Sequence, residues 1–483
     1  IVKQPWSNGE IYTFGASADG IGSLQTPAAH RDWLKGQYIA WAPSSMYEIL
    51  YPGGTYKQET AEDWLKGLTM PNPDHVYSNI ETCHEHETND AFWQVIEMSE
   101  RNGKFADVKT PSAFWGGWYD VFITGTLTAF DGYNRLSDPS VHGQSVITID
   151  PCGHCLEAQD FFTENVVMGR TAIMIGQLFE LYGVHDVIRG GIKNVTYYVM
   201  SSNDDAGKEA GQYWTSVEEF PKPVMTDFYF HADKTASLMP AVDTDSEAHS
   251  TSYVFDPANP QLTMGGGNLP PSIGGSIPCG PLDQADVDTR SDVINFETSV
   301  FDHPFHMTGG LYATLYVGSD AIDTDFMVRI SDVYPDGQAL LIQDNAVRMR
   351  WREGGPQPRY LEKEKVYKVE MNLWNTSFVV APGHALRFSI SSSNNPRFSV
   401  NPQNGLLLAD PTYPGENVTA TNTIYHSARY PSHVSLPMVT RLQQPVIDVM
   451  EDVQTRYPKI TNDLVLRMSK HIKNMINNLG NKK

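Results

Sequence analysis

Ser17, Asp120 and His154 are three side chains of the types needed to make an alcohol attack an acyl group. A serine hydroxyl is a poor nucleophile until an imidazole takes its proton. A carboxylate then holds the imidazole in the right tautomer and steadies the positive charge it gains. Each residue alone has a plainer reading: a surface Ser-Gly turn, a helix cap, and a core histidine bonded to backbone. The three in this order, each at the end of an apolar run, point to acyl transfer.

The elements that must position them can be read around each residue. Ile11-Tyr12-Thr13-Phe14 reads as a short buried strand and Ile21 through Ala29 as a helix, with Gly15-Ala16-Ser17-Ala18-Asp19-Gly20 between them. A serine on a glycine-flanked turn from strand to helix is the layout of a nucleophile elbow. Here the second glycine of G-x-S-x-G comes one residue late. Phe114-Trp115-Gly116-Gly117-Trp118-Tyr119 is an apolar strand that delivers Asp120. Val146-Ile147-Thr148-Ile149 opens a second such strand, and Asp150-Pro151-Cys152-Gly153 leads from it to His154. Ser, then Asp, then His is the chain order of the α/β-hydrolase triad.

Gln4-Pro5-Trp6-Ser7-Asn8-Gly9, Gly117-Trp118-Tyr119-Asp120 and Asp150-Pro151-x-Gly-His154 resemble the cocaine esterase and X-Pro dipeptidyl-peptidase family of serine hydrolases. Gly280-Pro281-Leu282-Asp283-Gln284, Arg290-Ser291-Asp292-Val293, Asp323-Thr324-Asp325-Phe326, Asp332-Val333-Tyr334-Pro335-Asp336-Gly337 and Gly383-His384-Ala385-Leu386-Arg387 are similar to its non-catalytic C-terminal β-domain. The resemblance runs to about Leu436-Pro437. It implies Ser17 as nucleophile, Asp120 as acid and His154 as base. It also implies an oxyanion contact from the Ala18 backbone N–H, and a substrate pocket at Trp118, Tyr119 and Cys152.

The chain departs from the family in three places. Ala18 stands where the family has a tyrosine, which widens the pocket and leaves the backbone contact. Cys152 stands where it has a tryptophan. The tyrosine loop and the strands that precede the elbow have no match. An elbow strand sits in mid-sheet in this fold. The sheet at Ile11–Phe14 is therefore expected to be completed by a separate N-terminal fragment, or to keep an unpaired edge.

The resemblance implies an α/β-hydrolase domain over 1–30 and 110–222, lacking its N-terminal strands, with a helical cap over 31–109 that holds Trp33, Trp41, Trp64 and Trp93. From 223 to 440, alternating strands separated by Gly, Pro, Asn and Asp turns predict an antiparallel sandwich, a jelly roll by resemblance. Residues 441–483 form a C-terminal extension. Thr461 or Asn462 caps a helix there that runs to Leu479 and stops at Gly480. The loop Gly265-Gly266-Gly267-Asn268 is followed by neither a lysine nor a helix start, so it reads as irregular rather than phosphate-binding.

The formal net charge of −22 excludes nucleic acid and anionic membrane as main partners. No apolar run reaches the roughly 18 residues of a membrane span. Cys83, Cys152, Cys155 and Cys279, with His84 and His86, raise the thought of zinc. A metal on His154 would take the lone pair the serine proton needs, so free thiols or disulfides are expected, with neither metal nor cofactor. Sequons at Asn194, Asn375 and Asn417 are expected on exposed turns or strand edges. They lean towards a secreted or endomembrane protein over a cytoplasmic one. A homo-oligomer is left open.

The reading is a serine hydrolase that cleaves a small ester, an acyl amide or a peptide through an acyl-enzyme. An X-Pro dipeptidyl-peptidase is the alternative within that chemistry. It needs carboxylates for a substrate ammonium, and Asp19 and Glu48 are the candidates. A catalytically silent binding or structural relative is the alternative outside it.

Overall fold

The computed structural model describes residues 1–29, 32–63, 66, 73–99, 102–154, 166, 169–174, 193–201, 210–242, 249–271, 274–440, 446–456, 458–459 and 461–480. Trp64 and Cys155 lie outside them.

The first body is a seven-stranded sheet with helices. β1 (Ile11–Ala16), β2 (Leu34–Ala40), β3 (Ser112–Tyr119), β4 (Val146–Gly153) and β5 (Val195–Val199) run parallel, in that order across the sheet. β6 (Tyr213–Val217) pairs antiparallel with β5. Helices α1 (Ala18–Gln25) and α5 (Ile123–Arg135) make the crossovers that parallel pairing requires. β3, β4 and β5 are buried along their whole length, as strands covered on both faces are.

Between β2 and β3 lie α2 (Met46–Leu50), α3 (Pro73–Glu85) and α4 (Ala91–Ile96). The cap expected over 31–109 therefore starts later, because 34–40 belongs to the sheet. Lys35, Gly36 and Gln37 interrupt the apolar run and hide it. Gln37 is nonetheless fully buried. Its amide donates to Ser23 O at 2.7 Å, and its carbonyl accepts from Tyr133 Oη at 3.1 Å. Among the described residues β1 pairs with β2 alone and leaves its other edge open.

The second body is an antiparallel sandwich. Its strands are β7 (Val224–Phe230), β8 (Ala236–Ser237), β9 (Ser250–Phe255), β10 (Ile294–Glu297), β11 (Phe305–Ser319), β12 (Asp325–Val333), β13 (Ala339–Arg348), β14 (Tyr367–Val380), β15 (Ala385–Ser391), β16 (Ala420–Tyr425) and β17 (His433–Met438). One sheet has the order β10-β15-β12-β13. The other has β8-β7-β17-β11-β16-β9, with β14 also on β11. Phe230 stacks on Phe296 between them, at a centroid distance of 4.2 Å.

The C-terminal extension returns to the first body. β18 (Val446–Ile447) pairs with β6, and α6 (Val449–Arg456) and α7 (Asn462–Gly480) follow. Val449, Val453 and Val465 join the main core, and Ser469 Oγ meets Thr171 Oγ1 at 2.7 Å. Thr461 Oγ1 accepts from Leu464 N–H at 3.2 Å, as a cap does. Among the described residues no helix is long and apolar enough to cross a membrane.

Three motif carboxylates of the sandwich, Asp323, Asp325 and Asp332, are fully buried and paired. Asp325 takes Arg348 in a two-point bond at 2.9 and 2.8 Å, and Asp323 accepts from the Arg350 side chain and backbone. Arg350 Nη2 and Trp351 Nε1 also donate to Glu87 Oε2, at 2.9 and 3.0 Å, while Leu408 N–H donates to Glu87 Oε1. Glu87 follows α3, so this set pins the cap to the sandwich. Asp332 faces His384 at 3.0 Å.

Candidate active site

Parallel strands direct their carboxyl ends, and the loops after them, to one side of the sheet, where sites of such folds gather. Ser17 follows β1, Asp120 follows β3 and His154 follows β4. The turn at Ser17 has φ 56° and ψ −124°, a backbone that a residue with a side chain rarely adopts. Two glycines make the turn possible. A Cβ on Gly15 would lie 2.3 Å from Asp19 O, and one on Gly20 would lie 2.7 Å from Ala42 Cβ. Ser17 N–H donates to Ala40 O at 3.0 Å, which ties the elbow to β2.

The structure brings the three side chains into one hydrogen-bonded line. His154 Nε2 lies 2.9 Å from Ser17 Oγ, and His154 Nδ1 lies 2.7 Å from Asp120 Oδ1. Asp120 and His154 are fully buried and Ser17 is half-buried, so the line opens to solvent at its serine end. Asp120 Oδ1 also accepts from Phe122 N–H at 3.2 Å, whereas its Oδ2 is buried with no hydrogen-bond partner. The Phe122 ring stands edge-on to the imidazole at 4.9 Å and shields it. Ala18 is the first residue of α1. Its N–H is one of the four that a helix start leaves without an intrahelical acceptor.

Three expected pocket residues are elsewhere. Trp118 Nε1 donates to Tyr198 O at 2.8 Å, and Tyr119 Oη donates to Leu341 O at 2.8 Å. Cys152 Sγ accepts from Arg170 Nη1 at 3.0 Å. All three are 1% exposed or less. The family resemblance implies them as pocket residues. Strand alternation instead turns them into the core and the interface with the sandwich.

A second carboxylate supports the base. Asp150 accepts from Cys152 N–H at 2.9 Å and from Trp115 Nε1 at 3.1 Å, so it fixes the turn that carries His154. Burial pushes its pKa up to about 6, against the pull of Arg170. The sequence shows this residue only as part of a motif. Its role needs the register of β3 on β4.

Among the described residues, Cys83 and Cys152 are free thiols, Cys279 Sγ donates to Asn268 O at 3.1 Å, and no cluster of His, Cys, Asp or Glu is arranged to hold a metal. Asn417 is exposed in a loop. Asn194 is half-buried, with its side chain on Gly143 O. Asn375, expected on an exposed turn or edge, is half-buried within β14 opposite Gly310, beside the fully buried Thr376 and Ser377. Asp19 and Glu48 are exposed on α1 and α2.

Two family models match the chain. The X-Pro dipeptidyl-peptidase (S15 family) model matches residues 1–79, and the X-Pro dipeptidyl-peptidase C-terminal non-catalytic domain model matches residues 191–435. A cocaine esterase of Rhodococcus sp. (strain MB1 Bresler) is 27% identical over 497 residues, covering 91% of this chain and 83% of that protein. Among solved structures, an aminopeptidase from the marine sediment archaeon Thaumarchaeota archaeon superposes with a TM-score of 0.75 at 19% identity, over 91% of this chain and 78% of that one. An α-amino acid ester hydrolase superposes with a TM-score of 0.67 at 20% identity, over 90% and 77%. These two likenesses concern the fold.

Proposed function

We propose that this chain, which belongs to the cocaine esterase and X-Pro dipeptidyl-peptidase family of α/β-hydrolase serine hydrolases, cleaves carboxylic esters or acyl amides through an acyl-enzyme. The observation that carries the reading is the line Ser17–His154–Asp120, with the serine on a strained elbow.

In this reading Ser17 Oγ attacks the acyl carbonyl as His154 Nε2 takes its proton. Asp120 holds Nδ1–H and steadies the imidazolium. The carbonyl oxygen becomes an oxyanion, which in this reading the Ala18 N–H receives. The tetrahedral adduct collapses, His154 protonates the departing alcohol or amine, and the acyl group stays on Ser17. Water repeats the sequence and releases the acid.

Esters and simple amides are favoured over dipeptides because a peptidase of this type must hold an ammonium. Asp19 and Glu48, the carboxylates offered for that task, are exposed on helix surfaces. The test compares p-nitrophenyl esters with an X-Pro p-nitroanilide bearing a free amino terminus. Faster turnover of the blocked ester supports the reading. A preference for the free dipeptide substrate, lost on N-acetylation, transfers the chain to the dipeptidyl-peptidase branch.

A further inference from the structure

Phe122 breaks a local rule just after the acid. It holds the cap position of α5, where Ser, Thr, Asp or Asn usually offers an acceptor to the free N–H groups of a helix start. The Phe122 side chain makes no such bond. Asp120 stands in for it. Its Oδ1 accepts from Phe122 N–H at 3.2 Å, and its backbone carbonyl accepts from Ile123 N–H at 3.1 Å. The acid's own turn therefore fixes where the Phe122 ring begins. A position that gives up its local preference is a place to look for function.

The ring has neighbours of two kinds. One is the base: the rings of Phe122 and His154 lie 4.9 Å apart with their planes at 86°. The others form an apolar cluster that holds Phe122 together with Ile49, Leu50 and Trp93 of the cap and Leu269 and Leu408 of the sandwich. Phe122 is buried in this cluster. Side chains in such close-packed surroundings sit in single rotamers and yield little. Two parts of the chain that carry no triad residue thus share a core with the ring that meets the imidazole.

The hydrogen bonds of the imidazole leave it one freedom. Nδ1 is held by Asp120 at 2.7 Å and Nε2 by Ser17 at 2.9 Å. These bonds fix two ring atoms, and the ring can still tilt about the line that joins them. Tilt swings the Nδ1–H and the Nε2 lone pair off their partners, and hydrogen bonds weaken steeply with misalignment. A second ring packed at a right angle against the imidazole opposes that tilt.

We propose that Phe122 is a positioning residue for the hydrolytic reaction, its ring seated by cap and sandwich so that the His154 imidazole stays in line with Ser17 and Asp120. The proposal rests on the serine hydrolase reading. It gives the cap and the β-domain a part in turnover that needs no contact with substrate. Loss of the ring therefore slows the chemical step and leaves the binding of a small ester in place.

The test measures kcat and KM for p-nitrophenyl acetate in wild type, Phe122→Leu and Phe122→Tyr. Proton NMR of the low-field Nδ1–H signal follows the imidazole in the same proteins. Leucine fills most of the space without a planar ring. In Phe122→Leu, kcat is expected to fall about 10²-fold with KM within about twofold, and the Nδ1–H signal to broaden. Phe122→Tyr keeps the ring and is expected to recover most of the rate. Wild-type kcat in a folded Phe122→Leu protein overturns the proposal and leaves the hydrolase reading intact. So does a change confined to KM, which makes Phe122 a substrate contact alone, and so does equal loss of kcat in the folded leucine and tyrosine proteins. A wild type that neither hydrolyses the ester nor takes a fluorophosphonate label removes both. If Phe122→Leu does not fold, Phe122→Met takes its place. Loss of folding in both makes Phe122 a purely structural residue, which also overturns the proposal.

Discussion

Gly153, the residue before the candidate base, packs directly on Cys279 of the sandwich. A Cβ at Gly153 would lie 2.6 Å from Cys279 Cβ and 2.8 Å from its Sγ. Gly153→Ala is therefore expected to displace His154, with kcat for an ester falling at least about tenfold. Because the clash includes the cysteine Cβ, Cys279→Ala should not restore the rate and Cys279→Gly should. The double-mutant cycle reads the coupling. Additive losses would mean that the two residues do not meet.

Removal of the nucleophile gives the simplest outcome. Ser17→Ala should keep the wild-type melting transition and lose fluorophosphonate labelling completely. Asp120→Asn leaves the volume unchanged but permits the wrong imidazole tautomer, so kcat should fall by about 10⁴-fold. Labelling of the Ser17→Ala protein at another serine would refute the assignment.

Asp150 makes a pH-dependent contribution to stability with an unusual sign. Its carboxyl binds a proton more tightly in the folded chain, at about 6, than at its ordinary value of 3.8. Between those values the folded state carries a proton that the unfolded chain has lost. The stabilisation is full below the lower value and is lost as pH rises through the upper one, a change of about 3 kcal/mol. Asp150→Asn does not titrate. Its stability relative to wild type, from urea melts, should rise by that order between pH 4 and pH 8. Parallel curves would sink the argument.

Glu87 holds the cap to the sandwich through Arg350, Trp351 and Leu408. Glu87→Ala leaves a buried guanidinium short of one partner and should cost about 3–5 kcal/mol. The check is a denaturant melt, with protease cleavage within 73–97 reporting whether the cap is released first.

Of the three sequons, only Asn417 offers an exposed asparagine. Expressed through a secretory pathway, the chain should carry its glycan there and none at Asn375, where the strand pairs on Gly310. Peptide mass mapping after glycosidase treatment reads the occupied site.

The order Ser17, Asp120, His154 was legible because each follows an apolar strand, and a parallel sheet places such positions together. β2 was not legible, since Lys35, Gly36 and Gln37 look solvent-facing until Tyr133 and Ser23 are seen to satisfy the buried amide. Neither was the fate of Trp118 and Tyr119. Sequence proximity to Asp120 says nothing about which face a strand residue takes, and that was settled by Tyr198 and Leu341, 80 and 222 residues away.

The bond from Tyr119 Oη to Leu341 O, and that from Gln343 Nε2 to Trp118 O at 2.7 Å, fasten the strand bearing Asp120 to β13. The sandwich therefore serves as one wall of the hydrolase interior, and the two halves are not interchangeable modules. Grafting the first 222 residues onto a foreign β-domain would expose the back of the acid's strand to water. Substitutions along β13 then fall under the same selection as the catalytic loops, because β13 is bonded to the strand that carries the acid.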